Sequence, residues 1–195
     1  MEKAYLATQN PGKVREFQRL LGPHFEVCSV DCFTDLSWDE TGQTFHDNAR
    51  IKAEAVRSYT ECMVIADDSG LEVKSLGGAP GVFSARYGQD ERSGMERVLY
   101  ELKDQKDRQA RFVCSLYVIE ACGAKHAFEG ALSGTILDEP RGLSGFGYDP
   151  IFKPEGLQTT LAEMSIEDKN SMSHRSRAVE VFLQAFKQNL PTQKV

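Results

Sequence analysis

The sequence predicts an α/β protein built on a mixed β-sheet, and three stretches carry that expectation. Ala4-Tyr5-Leu6-Ala7 reads as a short strand that runs through a loop into a helix, where Val14, Phe17, Leu20 and Leu21 recur at helical spacing until Gly22-Pro23. Met63 to Ala66 is a short apolar run of the kind that forms buried strands. Phe112 to Ile119 is the longest apolar run, and a turn at Cys122-Gly123 sends the chain back along Lys125 to Leu137 as an antiparallel hairpin. A strand–loop–helix unit beside a hairpin gives a mixed sheet rather than a purely parallel one.

A chain of 195 residues suits one large domain, or one domain with two lobes, and can bury a real core. With 41% hydrophobic and 27% charged residues, it has the composition of an ordinary soluble globular protein. A formal charge of -6 argues against general nucleic-acid binding through a basic surface. An anionic ligand is then one that local lysines, arginines or a metal hold. No apolar stretch is long enough to span a membrane, and Met1 to Tyr5 does not read as a signal peptide. Five cysteines, an odd number, fit neither a disulfide framework nor a zinc site, so the expectation is reduced thiols in a cytoplasmic protein.

The first loop, Thr8-Gln9-Asn10-Pro11-Gly12-Lys13, stands at a helix N-terminus, where unpaired N–H groups and the helix dipole suit a phosphate. It is no Walker A loop, since the first glycine is missing and Val14 follows the lysine; it also reads as a plain turn. Phe25 to Val30 is a second strand, followed by the acidic loop Trp38-Asp39-Glu40-Thr41-Gly42. Thr44 with Asp47 resembles a capping box, and Phe45, Ala49, Ala53 and Val56 mark the buried face of the helix it starts. Lys52 lies off that stripe, by default on the solvated face, otherwise reaching into a cleft.

The run from Met63 ends in Asp67-Asp68-Ser69-Gly70, and open α/β sheets bind ligands at the carboxyl ends of strands. Neighbouring side chains on an extended backbone point to opposite faces, so one Asp can face a cleft while the other turns into structural hydrogen bonds. The same residues also read as a polar turn closed by Ser-Gly. Leu71 to Val73, the irregular loop Gly77-Gly78-Ala79-Pro80-Gly81 and Ser84-Ala85-Arg86-Tyr87 follow. Met95, Val98, Leu99 and Leu102 define another helix, ended by the charged linker Lys103 to Arg108. The stretch Pro140 to Pro150 combines three glycines with Phe146, Tyr148 and Asp149, which gives a stacking surface and a polar handle for a base or a loop that merely packs. Lys169, His174 and Arg175 bring three potential cations to the last helix, with Ser173 as N-cap and Ala178, Val181, Phe182, Ala185 and Phe186 as its buried stripe. The residues after Leu190 look like an unstructured tail, so residues 1–190 are read as a single domain and 191–195 as a flexible end.

In this order and spacing, the Thr8–Lys13 loop, Glu40-Thr41-Gly42 with Phe45 and Asn48-Ala49, and Ala66 to Gly70 resemble the inosine triphosphate pyrophosphatase family. Gly77 to Gly81 with Ser84 to Tyr87, Gly145 to Phe152, and Lys169 with Ser173-His174-Arg175 extend the resemblance over nearly the whole chain. It implies an elongated, two-lobed α/β fold around a long mixed sheet with a central nucleotide-binding cleft, usually a homodimer. It also implies a Mg²⁺-dependent hydrolase that cuts between the α- and β-phosphates of ITP, dITP and XTP.

On that resemblance Glu40 and Asp68 would be metal carboxylates, with Asp68 also the general base. Asp67 would be a second metal or water ligand, or a buttress of the turn. Thr8, Gln9, Asn10, Pro11, Gly12, Lys13, Lys52 and Ser69 would hold the triphosphate. Phe146 and Gly147 would meet the base, with Tyr148, Asp149, Lys169, His174 and Arg175 around its edge. No clear role falls to Arg86. Two rivals stand beside this reading: a related pyrophosphatase for other modified nucleotides, and a nucleotide-binding module without turnover.

Overall fold

The structure, a computed structural model, describes residues 1–189, so the expected domain end at 190 and the tail 191–195 lie outside the described residues. Six strands form one sheet in the order β2-β1-β3-β4-β5-β6. They are β1 (Glu2–Ala7), β2 (Phe25–Ser29), β3 (Met63–Val73), β4 (Gln109–Ile119), β5 (Lys125–Ile136) and β6 (Phe152–Pro154). β2, β1 and β3 run parallel; β3 through β6 pair antiparallel. The mixed sheet expected from the loop–helix unit and the hairpin is therefore present. The helices are α1 (Pro11–Leu21), α2 (Phe45–Arg57), α3 (Glu91–Glu101), α4 (Ile166–Met172) and α5 (His174–Asn189).

Two apolar cores flank the parallel half and a third fills the antiparallel half. On one face of the parallel half, α1 and α5 bury Phe17, Leu21, Ala178 and Phe182 against Leu6, Met63, Ile65 and Leu116. On the other face, α2 packs Ala49, Ala53 and Val56 against Ala7, Val64 and Ala66. At the far end, α3 and the segments around β6 bury Val98, Leu102, Ile151 and Phe152 against Leu71, Val73, Phe112 and Leu132. Each fully buried Phe contributes roughly 1.5–3 kcal/mol through removal of its surface from water. β3, β4 and β5 pass through both ends, which is why they are the long strands, of 11, 11 and 12 residues.

The structure corrects two expectations about elements. Met63–Ala66 does not end at the carboxylates: β3 continues through Asp67-Asp68-Ser69-Gly70 to Val73, because β4 pairs with it from Val64↔Ile119 to Val73↔Ala110. Val181 is not part of the buried stripe of α5; it is 46% exposed, and Val179 takes the inner position next to Ala178 and Phe182. Both anticipated N-caps are formed, but the Thr44–Asp47 capping box is not closed, because the Asp47 carboxylate accepts from the Thr44 hydroxyl at 2.7 Å instead of the Thr44 N–H. Thr44 accepts from the Asp47 N–H at 3.1 Å, and Ser173 accepts from the Ser176 N–H at 3.1 Å.

Candidate active site

The centre of β3 is where the two ends of the molecule meet. Met63–Ala66 on one side and Leu71 and Val73 on the other are apolar and belong to different cores; the four residues between Ala66 and Leu71 are not. β1 pairs with β3 only as far as Ala7↔Ala66, so from Asp67 onward one edge of β3 has lost its neighbour. That edge is covered again at Leu71, whose N–H donates to Ser84 Oγ at 2.9 Å, and at Val73, whose N–H donates to the Ala79 carbonyl at 3.1 Å. A gap one strand wide is left beside Asp67–Gly70. Alternation along the strand sends Asp67 and Ser69 to the face of α1 and α5, and Asp68 to the face of α2.

On the α2 face, Asp68 is 6% exposed. Its Oδ2 accepts from Asn48 Nδ2 at 3.1 Å, and its Oδ1 lies 3.5 Å from Lys52 Nζ. The same ammonium binds Glu40 Oε1 at 2.8 Å. Lys52 therefore bridges two carboxylates, and its default reading as a solvated lysine is corrected: it is 3% exposed. Asn48 also accepts from the Gly42 N–H at 2.8 Å, which ties the acidic loop to α2. Thr8, Gln9, Asn10, Lys13, Glu40, Lys52, Asp68 and Ser69 surround a hollow of about 210 Å³ here.

On the other face, Asp67 is fully buried and pairs with Lys13 Nζ at 2.8 Å. The Ser69 hydroxyl donates to Asp67 Oδ2 at 3.1 Å and accepts from Arg175 Nη2 at 2.9 Å. A second hollow, of about 170 Å³, is lined by Phe112, Phe146, Gly147, Tyr148, Asp149, His174 and Arg175 and shares Asn10, Lys13, Ser69 and Ala85 with the first. The two form one groove that crosses the free edge of β3. Larger hollows of about 470 and 490 Å³ on the antiparallel half do not touch these carboxylates.

A buried ion network backs the second hollow. Glu16 of α1 binds Lys169 Nζ through Oε1 at 2.7 Å and Arg175 Nη1 through Oε2 at 2.8 Å. Lys169 in turn binds Asp149 Oδ2 at 2.7 Å, which also accepts from the Phe146 N–H at 3.0 Å. Gly145 makes this last turn with φ of 78°, a left-handed conformation that favours glycine. The ring of Phe146 lies over both cations, 4.7 Å from Lys169 Nζ and 5.3 Å from the Arg175 guanidinium. Gly12 permits that placement, since a Cβ there would stand 3.0 Å from the Phe146 ring.

Electrostatics separate the two aspartates. Burial alone would push the Asp67 carboxyl up, but Lys13, Lys52 and Arg175 outweigh it and hold it at about 2. For Asp68 burial wins over Lys52 and Lys13, with Asp67 and Glu40 adding to it, and the carboxyl is pushed up. Burial would lower Lys52, yet Asp67, Asp68 and Glu40 keep it charged. His174 goes the other way: burial first, then Arg175, Lys169 and Lys13, drive it well below the ordinary imidazole value. The expectation of three cations at the start of α5 is thus corrected. His174 is neutral and stacks on Phe112 at 4.8 Å, while Lys169 and Arg175 are paired with buried carboxylates.

Most of the residues singled out from sequence meet in this groove, but not all in the expected manner. The N-terminus of α1 does not offer free N–H groups, because Asn10 Oδ1 already accepts from Gly12 N at 2.8 Å and Lys13 N at 3.2 Å. Pro11 begins α1 and does not line the groove, and Gly12 and Lys169 face an adjoining hollow behind Phe146. The Tyr148 ring lines the groove while its hydroxyl donates to the Ser84 carbonyl at 2.8 Å. Arg86, left without a role, contacts Glu40. Sequence reasoning missed Glu16 and Glu91, whose Oε2 accepts from the Gly147 N–H at 3.0 Å. The one signal for Glu16 was its position three residues after Lys13 on the same helix, which puts both on neighbouring surface. Nothing local marks Glu91.

Fold and site together define a mixed-sheet α/β protein with a charged groove across the free edge of its central strand. Known proteins place it more narrowly. A sequence model of the Ham1 family matches residues 4–185. A dITP/XTP pyrophosphatase from Bacillus subtilis (strain 168) is 46% identical over 188 residues, covering 92% of this chain and 94% of that protein. A dITP/XTP pyrophosphatase from Thermus thermophilus is 43% identical, covering 99% and 96%. Among solved structures, the Staphylococcus aureus Ham1 protein superposes with a TM-score of 0.87 at 38% identity, covering 97% of this chain and all of that one. The chain belongs to the Ham1 family.

Proposed function

We propose that this protein hydrolyses deaminated purine nucleoside triphosphates, dITP, XTP and ITP, between the α- and β-phosphates, releasing the monophosphate and pyrophosphate. Its relatives in Bacillus subtilis and Thermus thermophilus are dITP/XTP pyrophosphatases, which supports this substrate class. The observation that carries the chemistry is the Asp68–Lys52–Glu40 arrangement at the free edge of β3, beside a groove that continues to Phe146 and Arg175. A homodimer acting in the cytoplasm, implied by the resemblance, belongs to the same reading. Among the described residues no helix is long and apolar enough to cross a membrane.

Mg²⁺ is the proposed cofactor. Among the described residues no three His, Cys, Asp or Glu side chains gather to hold a metal alone. Two carboxylates do converge on one ammonium, and Mg²⁺ characteristically takes one or two carboxylates together with substrate phosphates and waters. The donor set fits, with Glu40 and Asp68 as its protein ligands. When bound, the ion supplies charge neutralisation at the phosphates and a more acidic water.

The chain's own residues supply the rest. Asp68 accepts the proton of the attacking water through Oδ1, since Oδ2 is engaged by Asn48. Lys13 and Lys52 offset charge on the phosphates, and Ser69 and the Thr8–Asn10 side chains fix their position. Phe146 stacks on the base. Its edge meets His174 and Arg175, where both His174 nitrogens and Arg175 Nε are buried without a hydrogen-bond partner. Such groups are normally satisfied, so a polar ligand is expected there. A donor at the 6-oxo group of hypoxanthine or xanthine disfavours adenine, which carries an amino donor at that place.

The test is pyrophosphate release from dITP, XTP, ITP, ATP and GTP, with and without Mg²⁺. The expected outcome is Mg²⁺-dependent release of pyrophosphate and monophosphate, with kcat/KM highest for the deaminated purines. Release of orthophosphate, or tight binding of ITP without turnover, would overturn it.

A further inference from the structure

We infer that Arg86 is a positioning residue that presents Glu40 to the phosphate half of the groove. The inference rests on the proposed role of Glu40 as a cation ligand and goes beyond it, since no role falls to Arg86 from the sequence. Glu40 stands in a stretch between β2 and α2 without helix or strand, so no ladder fixes its backbone. Two groups hold Glu40 itself. Lys52 binds Oε1 at 2.8 Å. Arg86 does more: Nη1 lies 3.5 Å from Glu40 Oε2, and Nη2 donates to the Glu40 main-chain carbonyl at 3.2 Å. One guanidinium thereby grips the side chain and the backbone of the same residue.

The platform behind that grip is rigid. Arg86 is the last residue of the 3₁₀ helix Gly81–Arg86, and Ser84 of that helix both accepts from the Leu71 N–H and donates to the Gly81 carbonyl, at 2.9 and 2.6 Å. Val82 and Ala85 of the same helix line the phosphate half directly. The Arg86 guanidinium also lies 5.3 Å from the Phe83 ring centroid, which narrows its freedom. The chain of support runs from the central strand through Ser84 and Arg86 to Glu40. Lys cannot reproduce it, since a point-charge ammonium lacks the planar fork that reaches two acceptors.

Without Arg86, Glu40 keeps only Lys52, and its carboxylate is drawn onto that ammonium instead of being held between the two cations. The cation must then compete for it. Loss of a partner that orients a metal ligand typically costs ten- to a hundredfold in metal affinity, and a half-exposed arginine belongs at the lower end, about tenfold.

The experiment compares wild type, Arg86→Gln, Arg86→Lys, Glu40→Gln and the double variant Arg86→Gln/Glu40→Gln. Two readouts are taken: the Mg²⁺ concentration for half-maximal pyrophosphate release, and the rise in melting temperature with Mg²⁺ at fixed α,β-imido ITP, which needs no turnover. The expected result is an upward shift of about tenfold in both Mg²⁺ midpoints for Arg86→Gln. Arg86→Lys should recover little of it, and the double variant should be no worse than Glu40→Gln, because Arg86 acts through Glu40. Additive shifts in the double variant would overturn the inference, as would an unchanged Mg²⁺ midpoint with a raised KM for ITP, which marks a direct phosphate contact. If Glu40→Gln itself leaves both midpoints unmoved, the assignment of Glu40 fails first, and the two failures are told apart.

Discussion

Glu16 is the residue on which the base side of the groove hangs, and Glu16→Gln puts that to a quantitative test. One carboxylate serves two cations, Lys169 at 2.7 Å and Arg175 at 2.8 Å, in a place only 7% exposed. Removing one member of a buried ion pair costs ~3–5 kcal/mol, because the remaining charge stays buried. The substitution is milder than that upper value. Gln keeps one acceptor oxygen, Lys169 keeps Asp149 at 2.7 Å, and Arg175 keeps Ser69 at 2.9 Å with Asp67 at 4.0 Å. The lower end, ~3 kcal/mol, is therefore expected. For a chain of this length ~1 kcal/mol moves Tm by ~2–4 °C, so Glu16→Gln should melt ~6–12 °C lower at neutral pH. Burial would raise the Glu16 carboxyl, but Arg175 and Lys169 hold it below its ordinary value. The stabilisation is present above the unfolded value of 4.5 and is lost as pH falls through the folded value. The gap between wild type and variant should accordingly narrow in that acid range. A drop under ~2 °C at neutral pH, less than ~1 kcal/mol, would show that Asp67 and Asp149 suffice and refute the argument.

Two further outcomes follow from the same geometry. Asp68→Asn should lower kcat by at least ~10²-fold, the lower range for a general base, with Tm nearly unchanged; a purified variant with wild-type turnover removes Asp68 from the reaction. His174 is held neutral by burial, so the native state resists its protonation while the unfolded chain does not. With the folded value well below 6.5, stability rises with pH through that region and is lost on acidification. His174→Gln should remove that share of the pH dependence of Tm, and parallel wild-type and variant curves would contradict it.

Sequence periodicity located α1, α2, α3 and α5, because each has an apolar stripe, but it passed over the short α4, whose one buried residue is Lys169, and the three-residue β6. Its failures have a common physical form. Asp67-Asp68-Ser69-Gly70 lacks any apolar residue, so it reads as the end of a strand; only pairing with β4, some 50 residues later in sequence, keeps it extended. Lys52 looked solvated because helical spacing says which side faces the core, not that a carboxylate pair waits at its edge. Glu16, Lys169 and Asp149 are joined over more than a hundred residues of chain, and no local pattern announces such a pairing. Composition alone left the aromatic–glycine loop around Phe146 open between a ligand loop and one that merely packs. Its anchoring by Asp149, Glu91 and Tyr148 required the fold.

The charge balance around the phosphate half gives a final reason for a divalent cation in the proposed reaction. Glu40, Asp67 and Asp68 face Lys13, Lys52 and Arg86, and every one of the three acids is within 4 Å of one of these bases. Those positive charges are already matched by the protein's own carboxylates. A triphosphate entering this groove would add several negative charges with none left over to offset them, beside carboxylates that repel it. Phosphoryl chemistry relies on positioning and charge stabilisation, so an uncompensated site would neither bind nor catalyse well. A small dication would reverse that sign: Glu40 and Asp68 are the residues that would hold it, and Lys52 would then be available to phosphate oxygens. The Lys52 ammonium stands 2.8 Å from Glu40 and 3.5 Å from Asp68, so it is the cation that such an ion would release. In the free protein the lysine is thus a resident counter-charge to Glu40 and Asp68, and with a cation held by those two acids it would be left to face the substrate.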